Sequence, residues 1–264
     1  QSERQFQRIF DVFKTHNIRY FFYNGGGDSQ DTTNKISKFF KTKGYTITCI
    51  GLPKTIDNDL PITYCCPGYG SVAKYIATST LEASLDVKSM SQTSTKVFIL
   101  EVMGRHAGWL AASAGIIKIK AGDPPHIILF PEIEFKQNNF LKKVKDIIKK
   151  YGYCVIVASE GIKSKNKFIS DSGLKDSFGH AQLGGVAPVL SNMITSKFNV
   201  KVHWAVSDYL QRSARHIGSK IDVEQAYMLG KSGIKYAKKN VSDVMLTIMK
   251  VADRNKFKWK VGHA

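Results

Sequence analysis

Apolar and polar positions along the chain follow two periods, which predict alternating helices and strands. In residues 6–15, apolar side chains recur three and four positions apart and form one stripe, as in an amphipathic helix. The same spacing predicts further helices over residues 31–43, 71–88, 105–115, 137–150, 186–195, 210–217 and 223–239. Short apolar runs predict strands over residues 19–23, which we expect to be buried, and over 45–50, 96–100, 126–130 and 154–158.

This alternation is typical of an α/β protein. Parallel strands joined by helices form a doubly wound sheet, and ligands bind such a sheet at the carboxyl ends of its strands. The 264 residues have 43% hydrophobic content, which is enough for two lobes that each bury a core. No apolar run approaches the length of a membrane-spanning helix. The sequence therefore predicts doubly wound, mostly parallel sheets and no membrane span.

Residues 51–60 (GLPKTIDNDL) place a lysine, a threonine and two aspartates directly after a predicted strand. Asp57 and Asp59 are two positions apart, so an extended loop can aim both carboxylates at one site. One carboxylate is suited to act as a general base towards a hydroxyl, and the other to hold a divalent metal or orient the base. Lys54 adds a mobile cation for phosphate. This set indicates phosphoryl transfer to an alcohol, although ordinary solvated turns use the same residue types.

Two glycine-containing segments follow other predicted strands. Residues 25–29 (GGGDS) lie between a strand and a helix, where glycines let backbone N–H groups approach an anion. A glycine-rich turn alone is a weak signal. Residues 101–109 (EVMGRHAGW) have the order of a strand-to-helix junction, in which Gly104 allows close backbone approach and Arg105 can fork onto a phosphate.

Residues 54–59 (KTIDND) and 103–108 (MGRHAG) resemble the two signature sugar-phosphate segments of the phosphofructokinase family, in the same order along the chain. The resemblance implies a two-lobed phosphofructokinase-type fold whose N- and C-terminal parts are incomplete. It also implies a partial phosphoryl-donor lobe over residues 1–72, a sugar-phosphate lobe over 73–210, and a return segment to the donor lobe over 211–264.

The resemblance implies roles for the residues of the acceptor site. Asp57 matches the base that takes the proton from the sugar 1-hydroxyl, Thr55 the residue that hydrogen-bonds the transferring group, and Asp59 the metal partner that supports the base. Lys96 and His203 match two positions, usually arginine, that reach the substrate of a neighbouring subunit, so we expect a homo-oligomer. The residues that match the sugar-phosphate site are Met103, Gly104, Arg105, Glu160, Tyr209 and Arg212.

In the resemblance, residues 25–29 match the phosphoryl-donor loop, which comprises Gly25, Gly26, Gly27, Asp28 and Ser29. ATP-using members of the family have glycine at the positions of Asp28 and Lys54. An aspartate at the first position crowds a nucleotide α-phosphate, and a lysine at the second favours a compact, highly charged donor. We therefore expect pyrophosphate as donor and fructose 6-phosphate as acceptor, with Mg²⁺ held by Asp28 and Asp59. Gly27 stands where the family usually has a metal-binding Asp or Asn.

The chain is strongly basic, with 39 Lys and Arg against 21 Asp and Glu and a formal net charge of +18. Such a field favours phosphorylated ligands, although lysine-rich helix faces are usually only solvated. No basic segment is interleaved with stacking aromatics, which argues against a nucleic-acid module. Four cysteines without C-x-x-C spacing indicate reduced thiols inside a cell. We expect a cytoplasmic location, and the charge leaves mitochondria as the alternative.

Two functions from different classes stay open. The first is an enzyme of glycolysis and gluconeogenesis, a pyrophosphate-dependent 6-phosphofructokinase. The alternative is a non-catalytic phosphofructokinase-like subunit of a larger assembly. Gly27, His203 and the charge favour the alternative, whereas the intact segment at residues 54–59 favours the enzyme.

Overall fold

A computed structural model describes residues 3–170, 185–251 and 257–264. Its α-helices are α1 (Glu3–Thr15), α2 (Gly27–Thr42), α3 (Tyr69–Met90), α4 (Trp109–Ser113), α5 (Gln137–Tyr151), α6 (Val186–Lys197), α7 (Asp208–Ser213) and α8 (Lys220–Ala237). Its strands are β1 (Tyr20–Gly25), β2 (Thr48–Pro53), β3 (Thr95–Val102), β4 (Ile127–Leu129), β5 (Cys154–Ser159), β6 (Lys163–Ser164), β7 (Lys167–Phe168), β8 (Lys201–Val206), β9 (Val244–Val251) and β10 (Lys258–His263). Short 3-10 helices, Ala114–Ile117 and Arg215–Ile217, lie close behind α4 and α7. No helix within these described ranges is long and apolar enough to cross a membrane.

The chain divides into two compact units, and the first comprises residues 1–70 and 219–264. Its sheet has the order β1-β2-β9-β10, in which β1, β2 and β9 are parallel and β10 runs antiparallel to β9. Phe10 of α1 packs edge-on against Phe40 of α2, with ring centroids 5.3 Å apart. Leu229 of α8 packs in a separate cluster with the strand residues Ile50, Leu246 and Ile248. Because β1 and β2 are parallel neighbours in this sheet, their carboxyl ends lie side by side.

The second compact unit comprises residues 71–218. Its main sheet is parallel throughout, in the order β4-β5-β3-β8. β5 is buried along its whole length, as expected of a central strand in a parallel sheet that helices cover on both faces. Val144 of α5 and Leu190 of α6 pack in the main core cluster, and Val87 of α3 packs with Val155 of β5. The carboxyl ends of β3 and β5 are also neighbours, since Val102 pairs with Ser159.

The predicted α/β fold class with mostly parallel sheets is confirmed. Several helices and strands begin or end at residues other than those predicted. The helix predicted over residues 31–43 begins at Gly27, so the predicted glycine turn runs into its first turn. The helix predicted over 105–115 begins only at Trp109. The expectation that strand 19–23 is buried is wrong for the chain as described: Tyr20 is 57% and Tyr23 38% exposed, because β1 is an edge strand among the described residues.

The predicted strands do not include β8, β9 or β10. β8 and β10 carry polar and charged side chains among their apolar ones and lie at sheet edges within the described residues. β9 (VMLTIMKV) is itself an apolar run, so its strand was open to prediction, whereas its pairing with the distant β2 was not.

Candidate active site

The structure brings together residues 25–29, hereafter the glycine loop, and residues 54–59, hereafter the acidic loop. They follow the neighbouring strands β1 and β2, whose last residues, Gly25 and Pro53, are paired. The amide of Lys54 donates to the carbonyl of Gly25 over 3.0 Å. A Cβ atom at Gly26 would lie 3.7 Å from Cβ of Thr55, in ordinary van der Waals contact. Two segments that the sequence indicates for phosphate chemistry are thus adjacent in one compact unit.

The glycine loop leads into the N-terminus of α2. Gly26 is the N-cap residue, and no side chain caps the helix there. A Cβ atom at Gly25 would lie 2.1 Å from Oγ of Ser29, so this position requires glycine. At Gly27 a Cβ atom would have nothing within 4 Å, so packing does not require glycine there. Gly27 and Asp28 are exposed in the first helical turn, where amides and the helix dipole favour an anion.

The acidic loop is held by its own side chains and by a neighbouring turn. Oγ1 of Thr55 accepts from the amide of Asp57 over 3.2 Å. Asn58 has a left-handed backbone, with φ of +53°, and its Oδ1 accepts from the amide of Cys66 over 2.8 Å. Because Asn58 lies between the two aspartates, this contact holds the backbone that joins Asp57 to Asp59. Asp57 is half-buried, whereas Lys54 and Asp59 are exposed.

The turn that supports the acidic loop is anchored to α8. Thr55 forms an isolated β-bridge with Gly68, whose amide donates to Oδ1 of Asp222 over 2.8 Å. Asp222 lies in the first turn of α8, where the N-cap hydroxyl of Ser219 accepts from the amide of Asp222. The sequence does not single out Asn58 or Asp222, because their partners are eight or more residues away. The only local signal is at Asn58, because asparagine adopts a left-handed backbone more readily than most residues.

In the second unit, the carboxyl ends of β3 and β5 form a packed junction. Gly104 has φ of +128°, and a Cβ atom there would lie 2.5 Å from the Ala107 carbonyl oxygen. Its amide donates to Oε1 of Glu160 over 3.3 Å, and its carbonyl accepts from the hydroxyl of Ser159. Gly161 is equally constrained, because a Cβ atom would lie 2.1 Å from the Arg105 carbonyl oxygen. The structure therefore places Gly104, Arg105 and Glu160 together.

Helix α7 is tied to the same junction through a buried glutamine. Gln211 is 2% exposed, its Oε1 accepts from the amide of Met103 over 3.3 Å, and its Nε2 donates to the Asp208 carbonyl over 2.9 Å. On the exposed side, the guanidinium of Arg212 stacks on the ring of Tyr209 at 4.0 Å from the centroid. Tyr209 and Arg212 thus lie on a helix that is bonded to the loop after β3. No local feature of the sequence indicates this role of Gln211, because its partner Met103 is 108 residues away.

A buried carboxylate in β3 holds the N-terminus of α6 beside this junction. Glu101 in β3 is 1% exposed and accepts from the amides of Gly185, at 3.1 Å, and Ala187, at 2.8 Å, at the N-terminus of α6. Burial raises the pKa of Glu101 above its usual value, and the amide donors oppose that rise. The Glu101 carbonyl also accepts from the amide of Ser207, next to α7. The sequence did not lead us to this role of Glu101, although an acidic residue inside the apolar run of β3 is a signal that could have indicated it.

Lys96 and His203 do not lie with the other predicted sugar-phosphate residues of their unit. Lys96 is the second residue of β3, roughly 20 Å along the strand from Val102 at about 3.3 Å per residue, and its Nζ donates to the Ser91 carbonyl. His203 is exposed in the middle of β8, where it pairs with Phe98. Their predicted role towards a neighbouring subunit stays a prediction.

The described residues contain no group of three or more His, Cys, Asp or Glu side chains arranged to hold a metal ion. Asp28 and Asp59, the two predicted metal ligands, are both exposed in the first unit. Carboxylate oxygens suit a hard divalent cation, and Mg²⁺ keeps several waters or substrate oxygens in its shell. The chemistry of these donors therefore fits Mg²⁺ held jointly with a ligand.

The geometry of Asn58 predicts how its substitutions change stability. Asn58→Ala should lower the free energy of unfolding by about 1–3 kcal/mol for the lost acceptor of the Cys66 amide, plus about 1 kcal/mol for the left-handed backbone. Asn58→Gly should lose only the first part, and Asn58→Asp should lose least. Urea unfolding measures these differences, with Asn240→Ala, at an exposed residue with φ of +57°, as the control for the backbone cost alone. Equal stability of the Ala and Asp variants at position 58 would contradict the assigned contact.

Comparison with known proteins yields relatives with a consistent description. A pyrophosphate–fructose 6-phosphate 1-phosphotransferase of Halomonas elongata is 55% identical over 258 residues, which cover 97% of this chain and 61% of the relative. The enzyme of the same name from Methylococcus capsulatus is 51% identical over 262 residues, covering 99% and 62%. The crystal structure of a pyrophosphate-dependent phosphofructokinase from Marinobacter aquaeolei has a TM-score of 0.89 and 54% identity, covering 100% of this chain and 63% of that one.

These similarities confirm the resemblance seen in the sequence and the phosphofructokinase-type fold. The chain spans about three fifths of the length of the curated relatives that it matches. The family model described as "Phosphofructokinase" matches residues 1–233, which include the glycine loop, the acidic loop and the residues around β3, β5 and α7. The chain belongs to the phosphofructokinase family.

Proposed function

We propose that this chain forms part of a pyrophosphate-dependent 6-phosphofructokinase, which reversibly transfers a phosphoryl group from pyrophosphate to the 1-hydroxyl of fructose 6-phosphate. The names of the relatives support this activity, which belongs to the intact protein because the chain spans only part of their length. The observation that carries the proposal is the hydrogen bond between Lys54 and Gly25. It joins an anion-binding helix N-terminus to a loop with two carboxylates and a lysine.

The donor assignment rests on the charges beside the glycine loop. Gly25, Gly26, Gly27, Asp28 and Ser29 are the proposed donor-binding residues. The uncapped N-terminus of α2 offers amides to a pyrophosphate, and Lys54 lies next to Gly25 through its backbone. Asp28 is exposed in the first turn, where it would repel the α-phosphate of a nucleotide. Pyrophosphate is compact and avoids that repulsion.

The acidic loop supplies the chemistry at the acceptor. Asp57 acts as the general base that takes the proton of the sugar 1-hydroxyl, and its backbone is fixed by Thr55 and by the neighbouring Asn58. Thr55 and Lys54 hydrogen-bond the transferring group, whose negative charge needs positioned donors in the transition state. Asp59 binds the metal and helps to orient the general base, Asp57.

The junction in the second unit is the proposed sugar-phosphate site. Met103, Gly104 and Arg105 hold the sugar and its developing charge, and Glu160 accepts from sugar hydroxyls. Tyr209 and Arg212 bind the 6-phosphate, and their stacking fixes the guanidinium plane before the phosphate arrives. The donor role therefore belongs to the first compact unit and the sugar-phosphate role to the second.

The finer assignments are also proposals. Mg²⁺ would be held by Asp28 and Asp59 together with pyrophosphate oxygens and waters, and when bound it supplies charge neutralisation of the phosphates. Lys96 and His203 serve a neighbouring copy in a homo-oligomer. A cytoplasmic location stays a prediction, and so does the absence of nucleic-acid partners.

The donor assignment is tested with the intact protein at fixed Mg²⁺ and high fructose 6-phosphate. We expect turnover with pyrophosphate and none, or far less, with ATP, because Asp28 and Lys54 both act against a nucleotide. Formation of fructose 1,6-bisphosphate is the readout. Use of ATP without use of pyrophosphate would overturn the donor assignment. Turnover with neither donor, together with stoichiometric co-purification in a larger complex, would favour the non-catalytic subunit.

The base assignment is tested by Asp57→Asn. This change keeps the size of the side chain and removes its proton affinity, so kcat should fall by about 10²–10⁴-fold while fructose 6-phosphate still binds. The matched control is Asp31→Asn, because Asp31 lies on the surface of α2 in an exposed ion pair with Lys35. Full activity of the Asp57→Asn protein would remove Asp57 from this role.

The metal assignment is tested by Gly27→Asp. The open space at Gly27 admits a side chain, and an acidic residue in the first helical turn is electrostatically favourable, so the variant should fold at least as stably as the unmodified protein. It should lower the Mg²⁺ concentration for half-maximal activity by about 10-fold, since a carboxylate is added to the site. Gly27→Ala is the control, because it changes the helix without adding a ligand. The same Mg²⁺ dependence in all three proteins would contradict a metal beside Gly27.

A further inference from the structure

We propose that Gln30 is a positioning residue for the phosphoryl donor: its side-chain amide sets the orientation of the backbone of the glycine loop against the acidic loop. The inference rests on the proposed function, because it concerns the donor site of that reaction. Gln30 lies in the first turns of α2, one residue after the glycine loop. It does not belong to the residues that the sequence indicates for phosphate binding.

The amide of Gln30 bridges the ends of two strands. Its Nε2 donates to the carbonyl of Gly25 over 2.9 Å and to the carbonyl of Leu52 over 3.1 Å. Leu52 lies two residues before Lys54, and Gly25 opens the glycine loop. The Gly25 carbonyl therefore accepts from two donors, the Lys54 amide and the Gln30 side chain. One amide group thus links both loops at the point where the parallel strands end.

Fixing the carbonyl of Gly25 also fixes the direction of the Gly26 amide, which is one of the proposed donor-binding groups. The carbonyl of Gly25 and the amide of Gly26 belong to one planar trans peptide group, in which C=O and N–H point in opposite directions. With the carbonyl held by Lys54 and Gln30, the Gly26 amide is directed away from both. Glycine has the freest backbone of all residues, so contacts from outside the loop are needed to keep one orientation. The two hydrogen bonds that the Gln30 amide donates, to the carbonyls of Gly25 and Leu52, are hereafter called the clamp.

Gly51 makes room for this clamp. A Cβ atom at Gly51 would lie 1.8 Å from Oε1 of Gln30, and its three nearest heavy atoms would all belong to the Gln30 side chain. The backbone of Gly51 is not left-handed, so its conformation alone does not require glycine. A glycine inside a strand weakens the strand. We therefore attribute the glycine at position 51 to the space that the Gln30 side chain occupies.

The test uses Gln30→Met in the intact protein, because methionine matches the length of glutamine and cannot donate. We expect the Kd for inorganic pyrophosphate, measured by calorimetry with Mg²⁺, to rise about 10-fold or more, since a binding amide loses its fixed direction. The KM for pyrophosphate should rise by the same factor, with the KM for fructose 6-phosphate within about 2-fold. The matched control is Gln7→Met, which removes a surface hydrogen bond to Asp11 in the same unit. An unchanged Kd for pyrophosphate, or equal changes in both KM values, would overturn the proposal.

A second pair of variants decides the matter if Gln30→Met does not fold. In the otherwise unmodified protein, Gly51→Ala should displace the Gln30 amide and weaken pyrophosphate binding. In a protein that already carries Gln30→Ala, the same change should have no further effect on pyrophosphate binding, because the new methyl group then has room. Additive effects of the two changes would contradict the clamp. If the unmodified protein binds pyrophosphate without turnover, the proposed activity fails and the Kd ratios still decide the role of Gln30. If it binds no pyrophosphate, both proposals fail.

Discussion

The hydrogen bond from the Lys54 amide to the Gly25 carbonyl is the contact on which the proposed site depends. It continues the β1–β2 ladder past the last paired residues, so two loops with different chemistry leave the sheet at the same place. Parallel pairing is what makes this possible, because only parallel neighbours end on the same edge. One loop offers amides at a helix N-terminus, and the other offers carboxylates and a lysine. A shift in the register of β1 against β2 would separate them.

Buried and half-buried polar side chains fix the loops that follow the strands. Asn58 holds the acidic loop to the amide of Cys66, and Asp222 holds the supporting turn to α8. In the second unit, Gln211 and Glu101 do the same for the ends of β3, α6 and α7. Each of these contacts joins backbone to side chain across many residues of sequence. Loops that carry reacting groups are thereby fixed by neighbours that do not themselves react.

The sequence predicts the α/β fold class and the position of each loop directly after a strand, because short apolar runs and turn residues are local signals. The adjacency of the two loops comes from the parallel pairing of β1 with β2. Most of the helices follow from their apolar stripes. The roles of Gln30, Asn58 and Gln211 could not be predicted, since each depends on a partner brought near only by folding. The apolar run of β9 is a local signal of a strand, and only its place beside β2 depends on the fold. The exposure of Tyr20 has the same cause, because an apolar run does not reveal whether its strand is central or at an edge. The role of Glu101 was also not predicted, although a carboxylate next to an apolar run is a local signal that could have indicated a buried acceptor.

The most direct test of pyrophosphate as the phosphoryl donor is the reverse reaction, followed by ³¹P nuclear magnetic resonance. The intact protein is mixed with fructose 1,6-bisphosphate, orthophosphate and Mg²⁺, and a parallel sample contains ADP in place of orthophosphate. The account predicts a pyrophosphate resonance that grows as the 1-phosphate resonance of the sugar declines, with no ATP formed in the parallel sample. Formation of ATP from ADP, without pyrophosphate in the first sample, would contradict it.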